Sequence, residues 1–302
     1  MSLQHVRQTL NGVSLIGKNS VVVGGTSGIG RGVAKQLASM GSSVVIVGRK
    51  EAGVLAELEA SKKPGSDARF SFVSCNSFLL KNVDSCVSTL ASDPLLPQVD
   101  YLVLTQGMAT VQQFTPTSEG LDEKLSLHVY SRMAFIRGML PSLKRSPDPR
   151  VLSVLSGGVH SSYANYKKDV ELNLGGYSIK NAADAAGFYN DICLDSLAKE
   201  EPGVAFFHAA PGFVSTNWGT EMPFFVRMVV RGLQVFGKSK EDAGAFMVHG
   251  MLNGGKNFNI LNQFGAPGQK KTPLHDEAMA SGIVNEHINA ILAAKGSVAG
   301  KK

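Results

Sequence analysis

The 302-residue chain has only three cysteines, Cys75, Cys86 and Cys193, too few and too scattered for a disulfide framework or a Cys-based zinc site. They fit a reducing compartment. Its seven histidines form no HExxH motif and no close Cys/His cluster, so no metal site is expected. Lys/Arg runs of five or more are missing and aromatic residues make up only 7%. The net charge of +6 is therefore not arranged for nucleic acid, which is excluded as the expected partner. No apolar run reaches the ~18–20 residues of a membrane span. The opening eighteen residues lack the apolar core of a secretory signal, and a short Arg7-bearing leader shares only its lack of acids with an organelle signal. The cytoplasm is the expected location. Acidic residues are absent from the first fifty positions, the first being Glu51. Arg7, Lys18, Arg31, Lys35, Arg49 and Lys50 stand unopposed there, as a polyphosphate ligand would require.

What the chain does contain is an alternation. Apolar runs at Ser20–Gly24, Ser43–Val47, Arg69–Ser74, Tyr101–Thr105, Val151–Leu155, Gly203–His208 and Asn257–Leu261 read as strands. Between them lie helix-period segments at Gly28–Met40, 50–61, 78–91, Glu119–Leu143 and Tyr177–Ala198. Near-continuous apolar strands separated by helices predict an α/β fold, a Rossmann-type doubly wound parallel sheet with helices on both faces. One domain of 1–302 is expected, with its core at about 15–265, an apolar lid at about 217–237 and a C-terminal surface helix at about 275–294. Ser239, with Asp242 three residues later, resembles a capping box. The 157–176 segment is a polar loop, longer than an ordinary connection.

Gly24, Gly28 and Gly30 fall on the turn from the first strand into the first helix of the alternation, in the stretch Gly24–Gly–Thr26–Ser27–Gly28–Ile29–Gly30–Arg31. There, glycine lets a pyrophosphate approach the backbone and sit on free N–H groups at the positive end of the helix dipole. Following a strand and opening an amphipathic helix is the context that gives such a pattern meaning. About twenty residues further on, an NAD site would offer a carboxylate to the adenosine 2′-hydroxyl. This sequence offers Gly48–Arg49–Lys50 and no acid. A guanidinium fork suits a 2′-phosphate, so Arg49, assisted by Arg31, predicts NADP(H) over NAD(H).

The G-x-x-x-G-x-G spacing at 24, 28 and 30 resembles the short-chain dehydrogenase/reductase family, and the likeness extends over roughly residues 15–265. The resemblance places Asn76 where the family has an adenine-contacting Asp. It also places Leu104–Thr–Gln–Gly107 on the family's Asn-Asn-Ala-Gly, keeping only Gly107. Pro211–Gly212–Phe–Val214–Ser–Thr216 matches the turn that holds the nicotinamide carboxamide, and Ser156 matches the catalytic serine. The run from Val159–His160 to Asn173 is similar to the retinol-dehydrogenase-like branch. The family also needs Tyr-x-x-x-Lys on one helix face, the ammonium lowering the tyrosine pKa. Tyr177 is followed by Lys180 at i+3 and Asn181 at i+4, so Lys180 would have to swing into the role, or a bulge would have to restore the register. A literal Tyr163-x-x-x-Lys167 lies in the polar loop without helical periodicity and reads as coincidence. The family's helix asparagine falls on His128, either a proton relay or a packed histidine.

These residues predict an NADP(H)-dependent oxidoreductase moving a hydride between nicotinamide and an apolar carbonyl or alcohol. Ser156, Tyr177 and Lys180 would carry the reaction, beneath an apolar lid at Met222–Phe236. That run also reads as core packing, or as a membrane-surface helix using Arg227 and Arg231. The alternative function is a catalytically silent NADP(H)-binding protein, a regulator or scaffold. The Ala182–Ala186 stretch would suit either a homodimer contact or the core.

Overall fold

The computed structural model describes residues 1–215, 237–268 and 271–294. Seven strands form one sheet: β1 (Asn19–Val23), β2 (Ser43–Gly48), β3 (Phe70–Ser74), β4 (Tyr101–Leu104), β5 (Arg150–Val154), β6 (Ala205–Ala209) and β7 (Asn257–Leu261). All pairings are parallel, in the order β3-β2-β1-β4-β5-β6-β7. The inner strands are buried on both faces because helices cover both, whereas the edge strands β3 and β7 are partly exposed. Val21 and Val23 join one core with Val45, Val47 and Leu102, while Val22 joins the other with Val44, Ile46 and Val103. The expected doubly wound parallel sheet is the fold observed.

On one face lie α1 (Leu3–Asn11), α2 (Gly28–Ser39), α3 (Val54–Ser61) and α8 (Lys240–Asn253); the other carries α4 (Leu80–Ser92), α6 (Ser131–Leu143) and α7 (Ile179–Glu200). The helix expected at Glu119–Leu143 starts later, as a short α5 (Glu123–Leu125) capped by Asp122. It then passes through a π-helical turn, Ser126–Tyr130, into α6, and runs on past Pro141. The N-terminal helix α1 was not foreseen. It buries only Val6 and Leu10, and Arg7 on its polar side pairs with Asp242 at 2.7 Å. The single C-terminal helix is instead two, α9 (His275–Ser281) and α10 (Ile283–Ala293), broken where Gly282 takes φ +71°. They are not confined to the surface, since Ala278, Val284, Ile288 and Ile291 enter the core beside α7. Ala182, Ala185 and Ala186 are likewise spent on this core. Half of the capping box is present: Asp242 N–H donates to Ser239 Oγ at 3.0 Å, while the Asp242 carboxylate pairs with Arg7. The expected lid lies outside the described residues, Gly237 excepted.

The tightest helix contact is between α2 and α8. A Cβ on Gly32 would overlap the Lys240 carbonyl, standing 2.6 Å from its carbon, and one on Gly244 would meet the backbone of Gly32. Backbone cannot retreat as a flexible side chain can. Gly32→Ala should therefore destabilise the chain by about 1–3 kcal/mol, read as a lower urea midpoint with an unchanged slope. An unchanged midpoint would show that the helices separate freely.

Candidate active site

The order of the strands reverses at β1, whose neighbours β2 and β4 are reached by crossovers in opposite directions. A crevice therefore opens beyond their carboxyl ends. It forms a cleft of about 1290 Å³. Gly24, at φ +81°, begins its floor, and a Cβ there would stand 2.6 Å from Gln106 N and 2.7 Å from Thr105 Oγ1. A Cβ on Gly30 would strike the same Thr105 hydroxyl, and one on Gly48 would stand 2.7 Å from Thr26 Cγ2. The ends of β1, β2 and β4 thus meet the start of α2 through backbone, with little side chain between. Ser27 caps α2 in extended conformation and makes no side-chain capping bond, leaving its hydroxyl and the first-turn N–H groups to face the cleft.

Gly24, Thr26, Ser27, Gly28, Ile29, Gly30, Arg31, Arg49, Asn76, Gly107, Pro211, Gly212 and Val214 all line this one cleft. Thr216 lies outside the described residues. The two arginines differ. Arg31 is held in a fork by Glu57, at 3.0 and 2.7 Å, so its charge is already answered. Arg49 is exposed and has no ion-pair partner among the described residues. Asn76 Oδ1 accepts from Phe78 N–H at 3.3 Å, an Asx turn that leaves its amide nitrogen outward.

Beneath the cleft Arg132 is fully buried without a carboxylate. Its guanidinium donates to the carbonyls of Leu104, Gln106 and Val154 and to Ser153 Oγ, cross-linking the ends of β4 and β5. His128 is buried in the wall of the cleft. It lies in the π-helical turn, where its Nε2 accepts the Met108 N–H at 3.0 Å. Burial, then the charges of Arg132 and Lys124, push its pKa down to about 3, so the ring is neutral.

The three expected catalytic residues are not brought together. Helix α7 begins at Ile179, because Ser178 is its N-cap and accepts from Asn181 N–H at 3.0 Å. Tyr177 therefore precedes the helix, and no helix face relates it to Lys180. Its hydroxyl donates to Asp122 Oδ2 at 3.1 Å and accepts from Lys124 Nζ at 2.9 Å. Burial, with the Asp122 carboxylate, pushes the phenol well above its ordinary value, the opposite of what the family's lysine would do. Lys180 is largely exposed and pairs with Asp184. In the other Tyr-Lys pair, Tyr163 donates to the Asp169 carbonyl and Lys167 pairs with Glu277, so it is loop structure. Ser156 follows β5, and its Oγ is buried with no hydrogen-bond partner among the described residues. Around it stand residues the sequence did not single out: Gly187, Asp191 and His208, with His160.

A family model described as short chain dehydrogenase matches residues 18–168. The chain belongs to that family. It is 33% identical over 200 residues to oxidoreductase AN1596 of Emericella nidulans, a match covering 66% of this chain and 59% of that protein. To oxidoreductase andH of Emericella variicolor it is 35% identical over 201 residues, covering 64% and 57%. The chain thus spans less than two thirds of the length of either relative. Its fold matches a 3-oxoacyl (acyl-carrier-protein) reductase of Agrobacterium tumefaciens, solved with NADP bound. The TM-score is 0.59 at 19% identity, covering 83% of this chain and 95% of that one. The likeness of the run from Val159–His160 to Asn173 to the retinol-dehydrogenase-like branch stays a resemblance. No helix among the described residues is long and apolar enough to cross a membrane.

The neutral state of His128 has a pH consequence. The unfolded chain takes up this proton below about pH 6.5, whereas the folded chain resists until about pH 3. Stability from this group is complete above pH 6.5 and falls with acidification, by at most about 1.4 kcal/mol per pH unit. His128→Gln keeps an acceptor for Met108 N–H and cannot be protonated. The drop in urea midpoint between pH 7 and pH 5 should be smaller in this variant; an equal drop would mean that His128 does not contribute.

Proposed function

We propose that this protein is an NADP(H)-dependent oxidoreductase that moves a hydride between nicotinamide and a small apolar carbonyl or alcohol. The observation that carries the reading is the glycine cradle together with Arg49. The cradle brings backbone N–H groups within reach of a pyrophosphate, and Arg49 stands unpaired at the end of β2, where a carboxylate would select NAD. A bound nicotinamide cofactor would supply the hydride. The chain's part would be to hold the dinucleotide along Gly24–Arg31, orient its far end at Pro211–Val214, and meet the substrate oxygen with the Ser156 hydroxyl, which is buried next to Leu155 of the cleft wall and must first be uncovered. Met108, Leu127, Leu155 and Phe213 offer apolar surface in the cleft, which suits an apolar substrate. The cytoplasm remains the proposed location and a homodimer the proposed assembly, with no nucleic-acid partner.

One observation favours a second reading, a catalytically silent NADP(H) binder. Tyr177 is engaged by Asp122 and Lys124, and Lys180 points to Asp184. For Tyr177 to deliver a proton its hydroxyl must leave Asp122. In the first reading, NADPH is consumed against a panel of apolar ketones and aldehydes, and Tyr177→Phe lowers the rate about 10²–10⁴-fold. In the second, NADPH binds and no carbonyl is reduced. Both share the 2′-phosphate prediction: Arg49→Asp should weaken NADPH binding by about 1.5–3 kcal/mol and leave NADH nearly unchanged. Wild type binding both equally would remove the NADP assignment.

A further inference from the structure

Beneath Ser156 lies a buried group of charges that the proposed reaction does not use. Asp191, on the inner face of α7, lies between two imidazoles. His160 Nε2 is 2.9 Å from one carboxylate oxygen and His208 Nδ1 is 2.5 Å from the other. His160 Nδ1 is 3.1 Å from the Ser161 carbonyl, and His208 Nε2 is 3.2 Å from the Ser156 backbone nitrogen. The side chains of His160, Asp191 and His208 are 2%, 1% and 0% exposed, while the bond to the Ser161 carbonyl lies at the surface.

The partners fix the protons. A carbonyl and a carboxylate only accept, so both nitrogens of His160 carry hydrogen and the ring is an imidazolium. The Ser156 N–H only donates, so His208 Nε2 is bare, its proton is on Nδ1, and that ring is neutral. A cation held by His160 Nε2, Asp191 and His208 Nδ1 would need the Nδ1 lone pair, placing a proton on Nε2 against the Ser156 N–H. The pattern is one of protons, not of a metal.

Gly187, one helical turn before Asp191, explains how the imidazolium reaches the serine. A Cβ at this position would stand 2.5 Å from His160 Cγ and 2.5 Å from Ser156 Oγ. The two atoms are therefore no more than 5 Å apart, across a gap that only glycine leaves open.

We propose that His160, Asp191 and His208 form a charged clamp that positions Ser156, and that the His160 imidazolium supplies at this serine the positive charge that Lys180 does not. His208 grips the turn at Ser156 N–H and His160 grips it at the Ser161 carbonyl, so the Ser156–Ser161 loop is held at both ends. The inference rests on the reading of Ser156 as the group that meets the substrate oxygen. Both N–H bonds of His160 are engaged, so it is a positioning residue and not the proton donor. Although Asp191 balances its charge, the ring is the positive end of the ion pair and lies within 5 Å of Ser156 Oγ, where it favours negative charge developing on an oxygen that Ser156 holds. Facing it are Asp191 and Asp184 from α7 and the neutral His208 from β6, with the cationic Arg132 beyond His208. Burial disfavours the His160 charge, but the bond to Asp191 and its carboxylate outweigh this and hold the pKa above the ordinary histidine value. The charge is then complete below pH 6.5 and is lost only as pH rises through the raised value.

The test is the ring ¹⁵N spectrum of histidine-labelled full-length protein, without cofactor, between pH 6 and pH 9. The expected result is an imidazolium, assigned by its disappearance in His160→Gln, that persists above the pH at which an ordinary histidine loses its proton, and that becomes neutral in Asp191→Asn. A His160 ring that is neutral at pH 7 overturns the clamp. The wild-type titration alone decides this, should a variant fail to fold. With a carbonyl that the wild type reduces, His160→Gln should lower kcat about tenfold or more, leave the KM for NADPH unchanged, and shift the alkaline limb of the profile. A fall in thermal stability with kcat and the profile untouched would reduce the array to a structural role and overturn the proposal. A wild type that reduces no carbonyl removes the carbonyl reading of Ser156, and the clamp is then judged on the spectrum alone.

Discussion

The close approach of the ends of β1 and β4 governs the rest of the molecule. Parallel strands whose crossovers diverge leave a crevice there. The crevice becomes a site only if the two chain ends can come together without side chains between them. Gly24 at φ +81° lets β1 turn so close to the end of β4 that a Cβ on it would stand 2.6 Å from Gln106 N. Gly30 lets α2 start against Thr105. Arg132 holds the floor from below, through the carbonyls of Leu104, Gln106 and Val154. A buried guanidinium answered by carbonyls and not by an acid leaves net positive charge under the cleft, on the side where a polyanionic ligand would lie.

How much of this was legible in the sequence follows from which atoms carry it. The strands were legible because both faces are buried, and an apolar run such as Ser43–Val47 has few other readings. The glycine turn was legible because its spacing is local. The helix α1 was not, because LQHVRQTLN is short and carries only Leu3, Val6 and Leu10 as apolar side chains. The start of α7 turned on whether Ser178 would cap it, and a two-residue difference there moves Tyr177 off the helix that carries Lys180. The break at Gly282 could have been read from the glycine itself.

The surroundings of Ser156 were illegible for a different reason. Gly187 acts by carrying no side chain. His160, Asp191 and His208 come from a loop, a helix and a strand, 31 and 17 residues apart by pair, so no spacing rule joins them. One signal was available: His208 stands inside the apolar run Ala205–Ala209, and Asp191 inside the apolar stretch of α7. A polar residue buried in such a run needs a partner, and here each is the other's. The cofactor end of the site thus rests on backbone and follows the family pattern, while the reacting end departs from it in the residues that surround the serine.

The central claim is that the cleft between the β1 and β4 ends holds a dinucleotide against backbone. Amide hydrogen exchange of the full chain with and without saturating NADPH tests this most directly. The account predicts slowed exchange at residues 24–31 and 105–108, with little change along the buried strands. Unchanged exchange at 24–31, or protection confined to another part of the molecule, would contradict it.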